Sequence, residues 1–446
     1  MNTRFAALAS RCLVAAVFVA LAGRQLLFVA AHAVNVLYMD QWDFYEPLFK
    51  GQGWWDTFIR QHGPHREGLG LVVTRILAGI SGWDSRWDAI AVSGLIVVAA
   101  ALALRLGRCF GISGGSAVML AGVPLIFFNV HQYELFVGAA NISYGAMPMA
   151  LFMGFCLCWF LKDIRWRLSL ISVLTFLLIF TGFGFFVGLL APLLLAVEAV
   201  QALRAREKSH AALALAALGT TAVSWTLFGY GYTFQPAVVG FRFPYERPIE
   251  YITFSARLMG NFFGAPILSI SELLLGLAVG AALLAIALWH GRRLLLQGVA
   301  REPRSVVLFS LASFTLLFCA NCAIGRVFTG PTAPLAPRYV TFVIPAALAI
   351  LLQLAVQRDR RIFIRLAAAY GILLLVGTTH SPSHEVAGAN WYSEGRRAWK
   401  AAYLDSHDQA EATRIAQFPI YPAPIGDRLD YLERRRLNLF LPGSSR

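Results

Sequence analysis

The chain consists of apolar segments separated by short polar loops. Most of these segments are about 18 to 25 residues long, the length that an α-helix needs to cross the hydrocarbon core of a bilayer. A membrane-spanning β-barrel would instead show short strands in which apolar and polar residues alternate. The pattern therefore predicts an all-α polytopic membrane protein with about eleven transmembrane helices. We expect the spans near residues 13–36, 89–106, 117–137, 142–161, 168–180, 185–200, 211–230, 272–289, 306–323, 340–356 and 362–376.

The composition agrees with this class. Hydrophobic residues make up 58% of the 446 positions, only 14% are charged, and the mean hydropathy is +0.62. These values exclude an ordinary soluble domain. The net charge of +14 could suggest a nucleic-acid partner, but the basic residues lie in short loops between spans and not along one face or tail. We therefore expect membrane lipids, and no nucleic acid, among the partners.

Lysines and arginines are concentrated in alternate loops, such as residues 105–108, 162–167 and 204–208. Short cytoplasmic loops of membrane proteins carry an excess of these residues. With a cytoplasmic N-terminus, every loop on the cytoplasmic side is basic, and the C-terminal tail lies outside. The first apolar segment is longer than the core of a usual signal peptide, so we interpret it as a retained anchor.

Two apolar stretches, residues 68–81 and 253–267, are short and contain arginine, which favours interfacial helices on the outer side of the membrane. From residue 380 onward the chain becomes polar. We therefore divide it into a transmembrane domain (1–379) and an extracytoplasmic tail (380–446). In the tail we expect a helix over about residues 393–403, packed on the outer face, and then a looser end.

The outer loop over residues 38–83 concentrates acidic and imidazole side chains in an otherwise apolar chain. Carboxylates and imidazoles are the groups that most often carry out acid and base catalysis. An isolated aspartate in such a loop can equally be a solvated residue or a helix cap. The candidates for chemistry in this loop are Asp40, Asp43, His62, His65, Arg66 and Glu67.

Other polar residues are expected on the same side of the membrane. His131 and Glu134 lie at the outer end of the third span and either line the same cavity or have a structural role. Arg326, Arg338 and Tyr339 lie in a late outer loop. Trp42, Trp54 and Trp55 either bind a ligand by stacking or anchor the protein in the interface.

These residues together resemble motifs of the GT-C superfamily of integral-membrane glycosyltransferases, in particular its uncharacterised bacterial branch. The layout is similar to that of the protein O-mannosyltransferases and the lipid A aminoarabinose transferases. The resemblance covers most of the chain in layout, but only short motifs in residues. These motifs are Met39-Asp40-Gln41-Trp42-Asp43, His62-x-x-His65-Arg66, Gly325-Arg326 and Pro337-Arg338-Tyr339.

The resemblance implies transfer of a sugar from a polyprenyl-phosphate carrier to a glycan, lipid or protein acceptor, with inversion, at the outer face of a bacterial inner membrane. Asp40 matches the family's catalytic acid and would remove the acceptor's proton. Asp43 would orient the acceptor or help to hold a divalent cation, Mg²⁺ or Mn²⁺. Many members have two adjacent acids, whereas Gln41 separates these two, so the division of roles between them stays open.

The other residues would bind substrate in this interpretation. The arginines, with the His65-Arg66 pair, would stabilise the charge of the leaving phosphate, and the tryptophans would stack on sugar faces. Two other classes of function are compatible with the sequence. One is a transporter or lipid flippase, and the other is a non-catalytic protein of envelope assembly. No internal repeat stands out and acidic residues are lacking near the middle of the spans, which argues against transport.

Overall fold

The computed structural model describes residues 3–112, 119–234, 240–265, 268–357, 360–379 and 382–442. The first α-helices in these ranges are α1 (Thr3–His32), α2 (Gln41–Phe44), α3 (Glu46–Phe49), α4 (Trp54–Phe58), α5 (Gly68–Ser81), α6 (Arg86–Cys109), α7 (Gly122–Phe127), α8 (Tyr133–Val137), α9 (Met147–Cys158) and α10 (Ile164–Ile179). They are followed by α11 (Phe185–Arg204), α12 (Lys208–Gly229), α13 (Ile249–Asn261), α14 (Ile270–Gln297), α15 (Pro303–Arg326), α16 (Ile344–Ala355), α17 (Arg360–Thr379), α18 (Pro382–Ser406), α19 (Gln409–Ala416) and α20 (Gly426–Arg435).

Other regular structure is short. A two-stranded antiparallel hairpin pairs β1 (Gln61–His62) with β2 (His65–Arg66). A π-helical turn at Ile142–Ala146 leads into α9. Short 3₁₀ turns connect other helices, at Val130–Gln132, Val299–Arg301, Val327–Thr329, Ala333–Leu335, Pro337–Val343 and Asn438–Phe440.

The described part of the chain contains eight helical segments that are long and apolar enough to cross a membrane. This confirms the predicted class of all-α polytopic membrane protein. The predicted number of about eleven spans is not confirmed. The segments near residues 142–161 and 168–180 contain shorter helices, with an apolar helical stretch at Ile142–Cys158 and helix α10 at Ile164–Ile179. In the segment near 362–376, α17 has 20 residues, but its apolar stretch covers only Ile364–Gly377. At 1.5 Å per residue, 16 residues extend only about 24 Å, less than the thickness of the hydrocarbon core.

The helices pack around one large apolar core, in which α13, α14 and α15 are neighbours and α11 contacts α12 and α15. Some buried charged residues of the bundle form ion pairs between helices. For example, Arg167 of α10 forms an ion pair with Glu198 of α11, and His210 of α12 lies 2.7 Å from the same carboxylate. An unpaired buried charge would be strongly destabilising, so such pairs fix how the helices are arranged.

The two stretches predicted as interfacial helices are both helical. Helix α5 has the predicted bounds, Gly68–Ser81, and ends at Gly82, whose φ of 67° suits glycine. Helix α13 begins and ends earlier than predicted, at Ile249–Asn261. Residues 266–267, at the end of that prediction, lie outside the described residues. The boundary predicted between residues 379 and 380 also borders residues that are not described.

The C-terminal tail is more ordered than predicted. Helix α18 extends well beyond the predicted 393–403, and α19 and α20 form where a looser end was expected. The tail does not build a separate core. Instead, its residues form a second hydrophobic cluster, which we call the loop–tail core, with the loop that follows α1. Its fully buried large side chains include Trp42 and Tyr45 from the loop and Trp399 and Phe418 from the tail.

Replacing Trp399 by alanine is expected to loosen the tail from the loop. The Trp399 ring is completely buried, stacks on Tyr403 at 5.0 Å, and its indole N–H donates to Thr413 at 3.1 Å. Such a truncation typically lowers the free energy of unfolding by about 3–5 kcal/mol. The measurement is limited proteolysis of the purified protein, in which cleavage between residues 382 and 442 should become faster.

The matched control for this prediction is Leu404→Ala on the same helix, because that side chain is exposed and does not belong to the loop–tail core. It should leave the cleavage rate near that of the unaltered protein. Equal cleavage of both variants and the unaltered protein would mean that the loop–tail core does not hold the tail in place.

Candidate functional site

Asp40 lies at the surface because the residues around it are fixed from the tail side. Met39 has a left-handed backbone (φ 45°), and its N–H donates to the carbonyl of Ile420 at 2.7 Å. Trp42 is completely buried in the loop–tail core. Helix α2 begins after Asp40, whose side chain remains 58% exposed. The loop therefore presents this carboxylate to its surroundings from a fixed backbone.

The hairpin that follows places His62 near Asp40. His62 and His65 are cross-strand partners, and Gly63 in the turn has a φ of 55°. The His62 Nε2 atom is 4.0 Å from the Asp40 carboxylate. Burial lowers the pKa of His62, while Asp40 and Asp43 act in the opposite direction. Since the net effect is a lowered pKa, a neutral ring is favoured at neutral pH.

His65 and Arg66 are held inside the protein. The His65 ring contacts Phe183 at 4.5 Å and Tyr144 at 5.5 Å, and burial lowers its pKa to about 3. It is therefore uncharged at neutral pH. Arg66 donates hydrogen bonds to the backbone carbonyls of Ile59, Phe228 and Tyr230. This bonding joins the hairpin to the end of α12, so the geometry favours a structural role over phosphate binding for both residues.

Glu67 is a second carboxyl group beneath the hairpin. It is fully buried, and the Asn141 side chain donates to one of its oxygens at 3.1 Å. The other oxygen is buried with no hydrogen-bond partner among the described residues. Burial raises the pKa of Glu67 to about 7. A substantial fraction of this group is therefore protonated at neutral pH.

Close packing of backbone holds this region together. The Ser143 hydroxyl donates to the carbonyl of Glu67. A Cβ at Gly70 would overlap Ser143, and one at Gly182 would lie within 3 Å of Tyr144. Only glycine allows the backbone of α5 and of the segment before α11 to approach the π-helical turn this closely.

Asp43 differs from Asp40 in its contacts. The Tyr421 hydroxyl donates to the Asp43 carboxylate at 2.8 Å, and Arg428 lies 3.8 Å away. Both partners come from the tail. Among the described residues, Asp40 has only one basic side chain within 4.0 Å, which is His62. The two aspartates are thus distinguished by geometry, since Asp43 is bound to the tail and Asp40 is exposed.

The two arginines predicted near the end of α15 and after it also differ in their contacts. Arg338 forms a 2.7 Å ion pair with Glu134 and covers the Tyr339 ring at 5.3 Å. Arg326 is exposed at the end of α15. It lies within electrostatic range of Tyr144, as do Asp40, Asp43 and Glu67. Tyr144 is therefore at the centre of the charged residues of this site.

His131 links the bundle to the tail. Its Nδ1 is 2.6 Å from Glu385 of α18, and its Nε2 is 2.8 Å from the carbonyl of Gly377. Because both of its ring nitrogens are bound within the protein, His131 fits a structural role better than a place in the lining of a substrate cavity.

The predicted tryptophans also differ from one another. Trp42 is buried and cannot stack on a sugar, whereas Trp54 and Trp55 are 56% and 51% exposed. Arg75 covers one face of Trp54 at 4.4 Å.

Several residues of the site were not predicted from the sequence. Tyr144, Asn141 and Tyr421 contact or surround the two aspartates and Glu67. The polar Asn141-Ile142-Ser143 stretch at the start of an apolar segment is a signal that could have identified the first two. Tyr421 follows from no local pattern, because its partner lies more than 370 positions earlier in the chain.

Within the described ranges, no group of three or more histidines, cysteines, aspartates or glutamates is arranged to hold a metal ion. Asp43 already accepts a hydrogen bond from Tyr421. We therefore assign no residue to the divalent cation that the family resemblance implies.

In comparisons with known proteins, the chain matches no protein-family model and no curated protein.

The raised pKa of Glu67 makes stability depend on pH. A glutamate has a pKa near 4.3 in an unfolded chain, so burial favours the protonated form in the folded state. The contribution of protonated Glu67 to the free energy of unfolding is fully present below about pH 4 and is lost as the pH rises through about 7. Its size over that range is about 3 kcal/mol. Glu67→Gln should therefore gain stability relative to the unaltered protein between pH 5 and pH 8.

The measurement is the midpoint of thermal unfolding in detergent, recorded across this pH range. Glu246→Gln is the control, because Glu246 is exposed and lies in the loop before α13. It should change the midpoint equally at all pH values. A difference between Glu67→Gln and the unaltered protein that does not vary with pH would contradict a neutral buried Glu67.

Proposed function

We propose that the protein is a membrane glycosyltransferase that transfers a sugar from a polyprenyl-phosphate carrier to a cell-envelope acceptor. The proposal includes a bacterial inner membrane and an outer-face site, which rest on the charge bias of the loops and the family resemblance. The observation that carries it is the exposed Asp40 carboxylate, fixed by buried neighbours and lying 4.0 Å from His62.

In this proposal Asp40 is the general base. An acceptor hydroxyl or amine attacks the anomeric carbon, and its proton passes to the Asp40 carboxylate as the bond to the carrier phosphate breaks. His62, with its lowered pKa, would accept a hydrogen bond or donate one without adding a permanent positive charge. Asp43 has a positioning role, because it ties the loop to Tyr421 of the tail.

The carrier phosphate gains negative charge as it leaves. Arg326 is exposed and lies within electrostatic range of Tyr144, so in this proposal its side chain reorients toward the phosphate. Arg338 is held by Glu134, so it contributes a more rigid positive charge. A phosphate bound between them would be stabilised by charge-assisted hydrogen bonds.

The exposed aromatic side chains support a sugar-binding site near the membrane. Trp54 and Trp55 lie in α4, between the loop of Asp40 and the hairpin of His62. Flat aromatic faces pack against the apolar faces of sugars. The same residues would also suit the membrane interface, so they support the proposal only together with the carboxylate.

The test is a mass comparison of surface glycans and glycolipids from cells that carry the intact protein or Asp40→Asn, at matched membrane expression. The variant is expected to lose at least about a hundredfold in product, since general-base catalysis contributes factors of this size. One sugar-sized mass increment should disappear.

Asp56→Asn is the matched control in the same loop. Asp56 accepts a hydrogen bond from Gly53 at the start of α4 and is a capping residue, so its replacement should keep the product. If Asp40→Asn leaves the glycans unchanged while deletion of the gene alters the cell, Asp40 is not the base. A transporter, a flippase or an assembly protein would then explain the phenotype better.

A further inference from the structure

The helical bundle has a second polar region at the end opposite to Asp40. Helix α15 extends from Pro303 to Arg326, about 36 Å at 1.5 Å per residue. Its C-terminal end carries Arg326 of the candidate site. Its N-terminal end lies beside a cavity of about 1000 Å³. The cavity and the candidate site are therefore separated by roughly the thickness of a bilayer.

This cavity, which we call the arginine cavity, is formed by the C-terminal ends of α14 and α16 and the N-terminal end of α15. Its charge is strongly positive, with four arginines against a single glutamate, Glu302, among the described lining residues. The charged and polar lining residues are His290, Arg292, Arg293, Gln297, Arg301, Glu302, Arg304, Ser305, Gln353 and Gln357.

The floor of the arginine cavity is a connected set of hydrogen bonds. His290 is buried and bridges Gln353 at 2.8 Å and Ser305 at 3.1 Å. The Ser305 hydroxyl donates to Glu302 at 3.0 Å, and Arg293 pairs with the same carboxylate at 3.0 Å. These bonds join three helices, so the cavity has a fixed polar base.

The remaining cations are not neutralised in this way. Within residues 268–357 and the other described ranges, Arg292, Arg301 and Arg304 form no ion pair. The three side chains are exposed, so water screens part of their mutual repulsion, and an anion bound between them would reduce it further. Guanidinium groups bind phosphate oxygens through pairs of parallel hydrogen bonds.

The rim of the cavity is apolar and faces outward. Trp289 and Leu296 line the cavity and are 60% and 70% exposed. A soluble anion gains nothing from such a rim. A phospholipid does, because its acyl chains can lie along the exposed apolar face of α14 while its headgroup enters the cavity. Tryptophan is also the residue typical of the level of lipid headgroups.

We propose that the arginine cavity binds the phosphodiester headgroup of an anionic phospholipid. Arg292, Arg301 and Arg304 contact the phosphate, and Trp289 and Leu296 contact the lipid chains. The site is independent of the proposed glycosyl transfer, because it shares no residue with the region around Asp40. Basic recesses between transmembrane helices bind anionic headgroups in this manner.

The experiment is native mass spectrometry of the full-length protein in detergent, titrated with dioleoylphosphatidylglycerol. The unaltered protein should retain one lipid more tightly than the rest, and dioleoylphosphatidylcholine should not replace it. The double variant R292Q/R304Q should bind that lipid at least about tenfold more weakly, which corresponds to loss of about one charge-assisted contact. If the double variant does not stay folded, R292Q and R304Q are measured singly and each should weaken binding.

The matched control is R105Q/R108Q. Both arginines are exposed near the C-terminal end of α6 and do not line the cavity, but their replacement removes the same charge. Equal weakening by the two double variants would show diffuse attraction of anionic lipid to a basic surface and overturn the proposal. Displacement of the retained lipid by millimolar inorganic phosphate would identify a soluble anion as the ligand and also overturn it.

Discussion

Burial of the loop after α1 against the C-terminal tail is the constraint on which the candidate site depends. Around Asp40, the loop after α1 forms the one-turn helices α2 and α3, and such short helices are not stable alone in water. Their apolar side chains, above all Trp42 and Tyr45, are buried because Trp399 and Phe418 of the tail cover them. Asp40 is therefore fixed in space by residues that are more than 350 positions away.

Polar bonds give this contact its specificity. Asn438 of the tail donates to Asn35 at 2.9 Å and to the carbonyl of Trp83 at 2.7 Å, and Asn35 donates back to the carbonyl of Asn438. Apolar surfaces alone would allow the tail to slide. Paired amides at fixed distances allow one register, because a shifted tail would leave buried polar groups without partners.

The sequence predicts those parts of this structure that depend on local pattern. Apolar runs indicate the membrane class, and the stretch from Gly68 to Ser81 gives the bounds of α5 because a glycine ends it. The same runs do not fix the number of spans, since α10 is as apolar as a span but shorter. Trp42 was predicted as a possible sugar-binding residue, yet it is buried. Its environment comes from the tail, which no local pattern reports.

The loop–tail core can form only after the C-terminal tail has been synthesised. Ribosomes make the chain from the N-terminus, so Trp42 and Trp83 emerge long before Trp399 and Leu429, which cover them. Until the tail is translated, the loop has an uncovered apolar surface and Asp40 has no fixed position. In the proposed function, the nascent chain therefore cannot yet act on a lipid-linked substrate, and membrane insertion is separated in time from the completion of the candidate site.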